Sequence, residues 1–308
     1  MPIRPFASGR PAPVAVFAYK RSVHLSRTLD SLAANPEAQL TDVVIYCDAA
    51  GKPADGPGVA EVWSVVEKAR GFHSVTAVRR DTNYGLARSI IEGVSSMLAQ
   101  EGQVIVVEDD LLLSKHFLRY MNDGLQRYRS DERVASVHGY SYPTPEALPE
   151  TFFLRGADCW GWATWSRAWE EFDPDGRRLL SRLRERRLVK RFDLDGSYPY
   201  TRMLEQQIEG INDSWAIRWH ASCFLAGRLT LYPGRSLVEN IGNDSTGTHC
   251  GTTSAYSRAP TPFPVSVGTI EVEESRAARE AFARFHAGQR RPFDRARRLL
   301  ARALPWGR

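Results

Sequence analysis

The chain of 308 residues has few cysteines and no long apolar run. Its four cysteines are scattered and form no Cys-x-x-Cys pair, so we expect free thiols in a reducing compartment. No stretch of about 18 apolar residues occurs, which predicts that no segment spans a membrane. The opening sequence MPIRPFASGRPAPVAV lacks the apolar core of a secretion signal. We therefore expect a cytoplasmic protein.

Two glycine-rich phosphate-binding motifs are also missing. No G-x-G-x-x-G follows the first apolar segment, and no G-x-x-x-x-G-K-[ST] occurs anywhere. Both motifs allow backbone amides to approach a phosphate closely, so their absence disfavours a dinucleotide oxidoreductase and a P-loop nucleotidase. The sequence contains no internal repeat either.

Positive charge is concentrated at the end of the chain. The formal net charge is +5, but residues 275–308 contain ten arginines and two acids, so the remaining residues carry about −3. This acidic balance disfavours nucleic-acid binding by the core. From about Asp294, the terminal sequence mixes arginine with leucine and tryptophan, which is typical of a helix that lies on an anionic membrane. Two alternatives stay open: a terminal helix folded onto the body, and a disordered end.

Apolar runs and helical periodicities alternate along the first half. Strands are predicted at 13–19, 42–47, 74–79, 104–107 and 134–137. Helices are predicted at 24–34, 58–70, 84–100 and 115–128. This rhythm favours an α/β fold, in which helices flank a Rossmann-like, mostly parallel sheet.

Three consecutive acids follow one of these strands. Val104–Val107 is fully apolar, as is typical of a buried parallel strand, and Glu108, Asp109 and Asp110 come directly after it. Open α/β sheets bind their ligands at the carboxyl ends of the strands. Because adjacent carboxylates repel one another unless a cation is near, the run indicates a site for Mn²⁺ or Mg²⁺. The alternative is a solvated strand end.

The second half is rich in tryptophan. Six of the eight tryptophans lie between residues 160 and 219: Trp160, Trp162, Trp165, Trp169, Trp215 and Trp219. We expect most of them to pack in the core and one or two to line a sugar site, since an indole face suits the CH-rich side of a sugar ring. Between these clusters, Arg177–Arg191 combines arginines with leucines at helical spacing. This spacing predicts an amphipathic helix with a solvated face.

Five segments together resemble a known family. They are Val14–Arg21, Arg80–Ala87, Val106–Asp110, Cys159–Trp165 and Glu239–His249. In these segments the chain is similar to GT-A fold glycosyltransferases of the family-2-like kind. Its Glu-Asp-Asp sequence resembles the acidic motif of N-acetylglucosaminyltransferase I. The resemblance implies a GT-A fold with a Trp-rich acceptor half and a basic C-terminal helix.

The resemblance and the strand positions together imply a set of ligand contacts. The nucleotide sugar would contact Ala18, Tyr19, Arg21, Asp48, Asn83, Gly85, Leu86, Arg88, Glu108 and Asp109. The acceptor or the transferred sugar would contact Trp160, Gly161, Trp162 and Trp215. Asp110 would bind the metal. His249 would bind the metal or, as an imidazolium, pair with the diphosphate. For Asp48 the alternative is a turn residue without a ligand, and for His249 a surface residue without a role.

An inverting transferase also needs a base that takes the proton from the acceptor hydroxyl. Asp213 is our candidate, because the sequence around it resembles the Asp-Ser-Trp segment of the family. An N-cap role for Asp213 at the helix that follows is an alternative and is compatible with catalysis. Glu205 and Glu209, four residues apart on one helical face, are lesser candidates.

These features lead to three hypotheses of function. The first is a metal-dependent inverting glycosyltransferase that moves a hexose or N-acetylhexosamine from a nucleotide sugar, UDP-linked by resemblance, to a saccharide or lipid-linked acceptor in surface polysaccharide synthesis. The second is a sugar-nucleotide nucleotidyltransferase, and the third a non-catalytic carbohydrate-binding protein. The expected division is a flexible start (1–13), a nucleotide-sugar half (14–138), an acceptor half (139–260) and a basic tail (261–308). The oligomeric state is left open.

Overall fold

A computed structural model of the chain describes residues 10–244 and 255–303, and the side chains of the last helix only as far as Gln289. His249, predicted to bind the metal or the diphosphate, lies outside the described residues. The same is true of Trp306 in the basic tail.

The first half alternates strands and helices as the sequence predicts, and the boundaries differ by at most three residues. Its elements are β1 (Val14–Ala18), α1 (Ser22–Ala33), β2 (Asp42–Cys47), α2 (Gly56–Glu67), β3 (Ser74–Arg79), α3 (Leu86–Glu101) and β4 (Gln103–Glu108). All five residues of β1 are buried, and so are the four apolar residues Val104–Val107 of β4. Their continuous apolar sequence is that of parallel strands covered on both faces.

The second half contains shorter strands and more helices. Its elements are β5 (Leu111–Leu113), α4 (Phe117–Arg127), β6 (Val134–His138), β7 (Thr151–Arg155), β8 (Trp162–Trp165), α5 (Ser166–Trp169), α6 (Gly176–Glu185), α7 (Val189–Phe192), α8 (Tyr200–Ile208), α9 (Trp215–Leu225), β9 (Leu229–Pro233), β10 (Val238–Asn240) and α10 (Arg276–Ala303). None of the described helices is both long and apolar enough to cross a membrane.

Eight of these strands form one sheet, in the order β3-β2-β1-β4-β8-β6-β9-β7. The strands β3, β2, β1 and β4 are parallel to one another, and β6 is parallel to β9. The strands β8 and β7 run the opposite way. Six of the eight strands therefore share one direction. The predicted α/β class, with a large and mostly parallel sheet flanked by helices, is confirmed.

Both halves of the chain contribute strands to this sheet, and one continuous core runs from Ala12 to Val265. At the centre, the rings of Phe17 and Tyr46 stack with centroids 5.0 Å apart. Gly93 of α3 lies against this pair, and a Cβ there would approach Phe17 to 2.6 Å. A glycine at this position therefore lets α3 pack directly on β1 and β2.

Three local expectations are corrected. The helix predicted over Arg177–Arg191 is interrupted, because α6 ends at Glu185 and α7 begins at Val189. The N-cap of α9 is Ser214 rather than Asp213, since Ser214 Oγ accepts the hydrogen bond of the Ile217 amide. The basic terminal helix does not begin near Asp294 but at Arg276, where its apolar residues Ala278 and Phe282 pack against β7 and β9.

Candidate functional site

One edge of the sheet collects most of the predicted site residues. The pairings Phe17↔Glu108 and Ala18↔Cys47 bring the carboxyl ends of β1, β4 and β2 side by side. The strand β8 runs the opposite way, so the residues just before Trp162 lie at this same edge. Parallel α/β sheets bind their ligands at this edge because the strands end there in loops.

The acidic motif is held by an arginine from the first helix. Arg21, the N-cap residue of α1, donates from Nη2 to Asp109 Oδ1 and, at 2.9 Å, to Asp110 Oδ2. Seven residues later, Thr28 Oγ1 donates to the carbonyl oxygen of Asp109 at 2.8 Å. Asp109 is only 4% exposed, whereas the side chain of Asp110 is 13% exposed. The start of α1 thus fixes both the backbone and the carboxylates of the motif.

The pKa values of these groups reflect their crowding. Burial and then the neighbouring Asp110 and Asp109 raise the pKa of Glu108 to about 8. Burial also raises the pKa of Asp109 to about 6, although Arg21 opposes that rise. Burial lowers the pKa of Arg21, but Asp109 and Asp110 more than offset this and leave it above its ordinary value. The site therefore holds more carboxylate charge than one guanidinium balances, and it favours a further cation.

A second chain segment lies against the acidic motif. The strands β5 and β10 form an antiparallel ribbon with Asn240 opposite Leu111. Directly after the ribbon, the amide of Ile241 donates to the carbonyl oxygen of Asp110 at 2.8 Å. A Cβ on Gly242 would collide with Asp110 Oδ2. The described part of Glu239–His249 thus touches Asp110, and a side chain at position 242 would displace the carboxylate of Asp110.

The donors present at this edge suit a hard divalent metal. Among the described residues, no group of three or more His, Cys, Asp and Glu side chains forms a ready metal cage. Asp110 nevertheless offers a carboxylate that is partly open to solvent. Mg²⁺ is commonly bound by one or two carboxylates together with substrate phosphates and water, so a single open carboxylate fits that kind of binding.

Asp48 holds the turn that the family resemblance assigns to the nucleotide. Its Oδ1 accepts from the amides of Ala49 and Tyr84, at 3.0 and 2.8 Å. Its Oδ2 accepts from the Gly85 amide at 2.8 Å and from Asn83 Nδ2 at 3.2 Å. Asp48 thus positions the turn at residues 83–85, a role that the sequence did not predict. Its contact with a nucleotide stays a prediction.

The remaining predicted nucleotide contacts surround this turn. The carbonyl oxygen of Ala18 accepts from the Asp48 amide at 3.0 Å. Gly85 has a φ of +72°, in the region that favours glycine, and begins α3. Leu86 is 40% exposed. The guanidinium of Arg88 lies 3.9 Å from the ring centre of Tyr84. The edge therefore offers an exposed leucine and an arginine close to the turn.

Sequence reasoning missed Asp55, which organises the other side of the turn. Tyr19 donates from its hydroxyl to Asp55 Oδ2 at 2.8 Å and accepts from the Gly51 amide at 2.9 Å. Lys20 Nζ donates to Asp55 Oδ1 at 2.7 Å, and this bond, followed by that from Tyr19, lowers the pKa of Asp55. Nothing in the sequence pairs Tyr19 with a residue 36 positions away, so only the fold could reveal this contact.

The predicted acceptor residues divide into two groups. Trp160 is half-buried and packs edge-on against Tyr140, with centroids 4.8 Å apart. Trp162 has no exposed surface and Trp215 is 2% exposed. A ring without accessible surface cannot stack on a sugar, so the sugar contact predicted for Trp162 and Trp215 is corrected to core packing. Gly161 has a φ of +65° and no side chain that could contact a sugar. Its carbonyl oxygen accepts a hydrogen bond from the Gly139 amide at 2.7 Å.

Asp213 is exposed and directly precedes Ser214, the N-cap residue of α9. Its side chain is 66% exposed, and its Oδ1 accepts from Arg218 at 3.3 Å. Two residues later, Trp215 stacks on Trp162, the first residue of β8, with centroids 5.3 Å apart. Among the described residues, no hydrogen bond or ion pair joins Asp213 to the acidic motif. The lesser candidates also form ion pairs. Glu205 pairs with Arg184 of α6 and with Arg202 of α8, and Glu209 pairs with Arg202.

Replacing Arg21 by methionine should destabilise the protein strongly. The variant leaves Asp109 buried without its charge partner, and loss of one member of a buried pair costs about 3 kcal/mol or more. Lys20→Met is the matched control, because the Lys20 side chain is more exposed than that of Arg21 and Asp55 keeps its hydrogen bond from Tyr19, so the loss should be smaller. Urea unfolding measures both free energies. Equal losses for the two variants would contradict the central role of Arg21.

No family model and no curated protein matches this chain. Among solved structures, it is similar to a mannosyltransferase from Pyrobaculum calidifontis in complex with GDP-Man and Mn²⁺, with 18% identity, a TM-score of 0.34, and coverage of 46% of this chain and 39% of that one.

It is also similar to glucosyl-3-phosphoglycerate synthase from Mycobacterium tuberculosis, with 11% identity, a TM-score of 0.37 and coverage of 59% and 68%. A third similar structure is a putative glucose-1-phosphate thymidylyltransferase from Bacillus anthracis, with 11% identity, a TM-score of 0.33 and coverage of 54% and 77%. The chain thus spans less than half of the mannosyltransferase, and likenesses of this strength establish neither a family nor an activity.

Proposed function

We propose that the protein is a GT-A glycosyltransferase that transfers a sugar from a nucleotide donor with the help of a divalent metal. The observation that carries the proposal is the arrangement at one sheet edge. There the arginine-held acids Asp109 and Asp110 follow β4, and the turn Asn83–Gly85, held by Asp48, follows β3. A metal-binding carboxylate beside a turn with close backbone access is what a nucleotide diphosphate requires.

Each residue would have a defined task in this reaction. Asp110 would hold Mn²⁺ or Mg²⁺, with Glu108 and Asp109 close to the ribose or to metal-bound water. The bound metal would stabilise the charge that develops on the departing diphosphate. Arg21 would keep the motif in place. Asp213, whose side chain is exposed, would take the proton of the acceptor hydroxyl.

The finer assignment rests on the sequence resemblance. It comprises an inverting reaction, a UDP-linked hexose or N-acetylhexosamine as donor, and a saccharide or lipid-linked acceptor in surface polysaccharide synthesis. The Glu-Asp-Asp sequence of residues 108–110 supports an N-acetylglucosaminyltransferase I-like site. His249 would complete the site from the segment that follows Gly242, either at the metal or at the diphosphate.

The two other hypotheses have less support. A nucleotidyltransferase is expected to have a glycine-rich loop with a basic residue after the first strand, but Tyr19-Lys20-Arg21-Ser22 stands there. A carbohydrate-binding protein is expected to expose its aromatic rings. Five of the six tryptophans between residues 160 and 219 are buried, so this feature of the sequence serves packing.

Asp110→Ala should abolish donor hydrolysis and leave the fold intact, because Arg21 keeps its pair with the buried Asp109. The measurement is the metal-dependent release of label from radiolabelled sugar nucleotides without acceptor, together with circular dichroism. Removing the metal with EDTA should also abolish donor hydrolysis by the unchanged protein. Asp30→Ala, on the exposed face of α1, is the control. Full activity of Asp110→Ala or of the EDTA-treated protein would exclude the metal site.

Asp213→Asn should lower turnover by about 10²-fold or more, since the amide keeps the shape but cannot accept the proton. Donor binding, measured by calorimetry with the nucleotide sugar, should be unchanged. Because Ser214 caps α9, the substitution should not affect helix stability. Turnover within a few-fold of that of the unchanged protein would mean that Glu209 or another carboxylate is the catalytic base.

We also propose that the protein is cytoplasmic and that its basic tail attaches it to the anionic inner face of a membrane. Residues 290–308 contain seven arginines and one acid, and each basic residue near such a surface contributes about 1 kcal/mol. Ending the chain after Gln289 should weaken liposome co-sedimentation at low salt and spare donor hydrolysis. Failure of the full chain to bind anionic liposomes at low salt would refute this attachment.

A further inference from the structure

Basic residues are densest in two segments of the chain. Residues 177–191 contain eight basic residues and one acid, and residues 275–308 contain ten and two. These segments carry net charges of +7 and +8, so the rest of the chain carries −10 within a total of +5. The sequence alone indicated a solvated face for the first segment and gave it no partner.

The two basic segments are joined in the fold. Arg191, directly after Lys190 in α7, pairs with Glu274, which precedes α10, at 2.7 Å. In the first turn of α10, Arg279 donates from Nη2 to the carbonyl oxygen of Arg191 at 3.4 Å and pairs from Nη1 with Asp195 at 2.5 Å. The charges of α6, α7 and the start of α10 thus belong to one region of the surface.

The helices α6 and α7 direct their charge outward because their apolar side is buried. Leu179, Leu183 and Phe192 pack in a cluster with α8 and α9. The exposed basic residues form what we call the α6–α7 basic face: Arg177, Arg178, Arg184, Arg186, Arg187, Lys190 and Arg191. Within the described part of the chain, Arg177, Arg187 and Lys190 form no ion pair. At least three positive charges of this face are therefore not neutralised by the protein itself.

The backbone at Arg187 is a second and independent indication. The amides of Leu188 and Arg187 donate to the carbonyl oxygens of Leu183 and Arg184 at 2.9 and 3.0 Å, which is the pattern of a Schellman helix end. The residue that turns the chain in this motif is usually glycine, because its φ is positive. Arg187 occupies that position at a φ of +55°. The chain thus carries a charge where a neutral glycine would be more stable, and strain of this kind points to a function.

We propose that the α6–α7 basic face binds the surface of an anionic lipid bilayer. Its chemistry favours lipid over nucleic acid, because the one aromatic residue of Gly176–Phe192, Phe192, is buried. Proteins that bind single-stranded nucleic acid combine positive charge with exposed aromatic rings. The strongly acidic remainder of the chain would be repelled by the same bilayer, so the attraction orients the protein.

The orientation also has a chemical consequence. Arg218 Nη2 pairs with Asp213 at 3.3 Å, and its Nη1 donates to the carbonyl oxygen of Pro174 at 3.4 Å, just before α6. One buried arginine thus connects the start of the basic face with the candidate base. A bilayer bound at α6 and α7 would bring a lipid-linked acceptor near Asp213. The face itself does not depend on the transferase proposal, and its failure would leave that proposal intact.

The first test compares two triple variants of the full chain, both of which retain the tail. Arg177→Gln, Arg187→Gln and Lys190→Gln remove three charges of the face. Arg27→Gln, Lys68→Gln and Arg129→Gln remove three exposed charges elsewhere and serve as the control. The measurement is co-sedimentation at low salt with vesicles of equal amounts of phosphatidylglycerol and phosphatidylcholine. Since one basic residue strengthens partitioning about five-fold, the first variant should bind about 10²-fold more weakly.

The outcomes separate this face from the tail and from net charge. Binding of the first variant at the level of the unchanged protein would overturn the proposal and leave attachment to the tail alone. An equal loss in the control variant would also overturn it, because the effect would then be one of net charge. Retention of the unchanged protein by single-stranded RNA, without retention by vesicles, would assign the face to nucleic acid instead.

The second test uses Arg187 alone. Arg187→Gly and Arg187→Gln both remove the charge, but only glycine relieves the backbone. Both should bind vesicles about five-fold more weakly than the unchanged protein. Arg187→Gly should in addition unfold at a temperature about 2 °C higher than the unchanged protein, and Arg187→Gln should not. A glycine variant that binds vesicles as tightly as the unchanged protein would overturn the proposed role of this residue.

Discussion

The candidate site depends on one ion pair network, that of Arg21 with Asp109 and Asp110. Two adjacent carboxylates at the end of a buried strand repel each other and resist the loss of water. Arg21 offsets both charges from the first turn of α1, and Thr28 of the same helix holds the Asp109 carbonyl. Helix and acidic motif are 88 positions apart in the chain. The pairing of β1 with β4 makes them neighbours, and the network in turn fixes how α1 meets the sheet.

Segments that are far apart in the sequence complete the same edge of the sheet. The Asp48 carboxylate accepts four hydrogen bonds, one from Ala49 and three from the turn Asn83–Gly85. Gly242 closes on Asp110 from the other side, after the ribbon of β5 and β10. These contacts are short and local in space but distant in sequence. A rigid edge of this kind can present a metal-binding carboxylate without a closed metal cage, which suits a cation that arrives with a phosphate ligand.

Charge is organised on a larger scale than the site. The chain outside residues 177–191 and 275–308 is acidic on balance, and these two segments carry the densest basic charge. Arg191 of α7 and Arg279 of α10 join them. The apolar sides of α6, α7 and α10 pack in the interior, so the arginines of α6 and α7 point to solvent. This uneven distribution of charge orients the protein at a charged surface. At Arg187, the basic residue is placed at the cost of a strained backbone with a positive φ.

The sequence by itself determined the alternating strands and helices, the α/β class and the strand end that carries the acids. These features follow from local apolar periodicity, and the strands Asp42–Cys47 and Ser74–Arg79 match their predicted bounds. It could not determine which tryptophans are exposed, because Trp160 and Trp162 have the same chemistry and differ only in what covers them. Nor could it show that Arg21 reaches Asp110 or that Arg191 reaches Glu274. Such contacts depend on strand order and helix packing, which bring together residues that no local pattern connects.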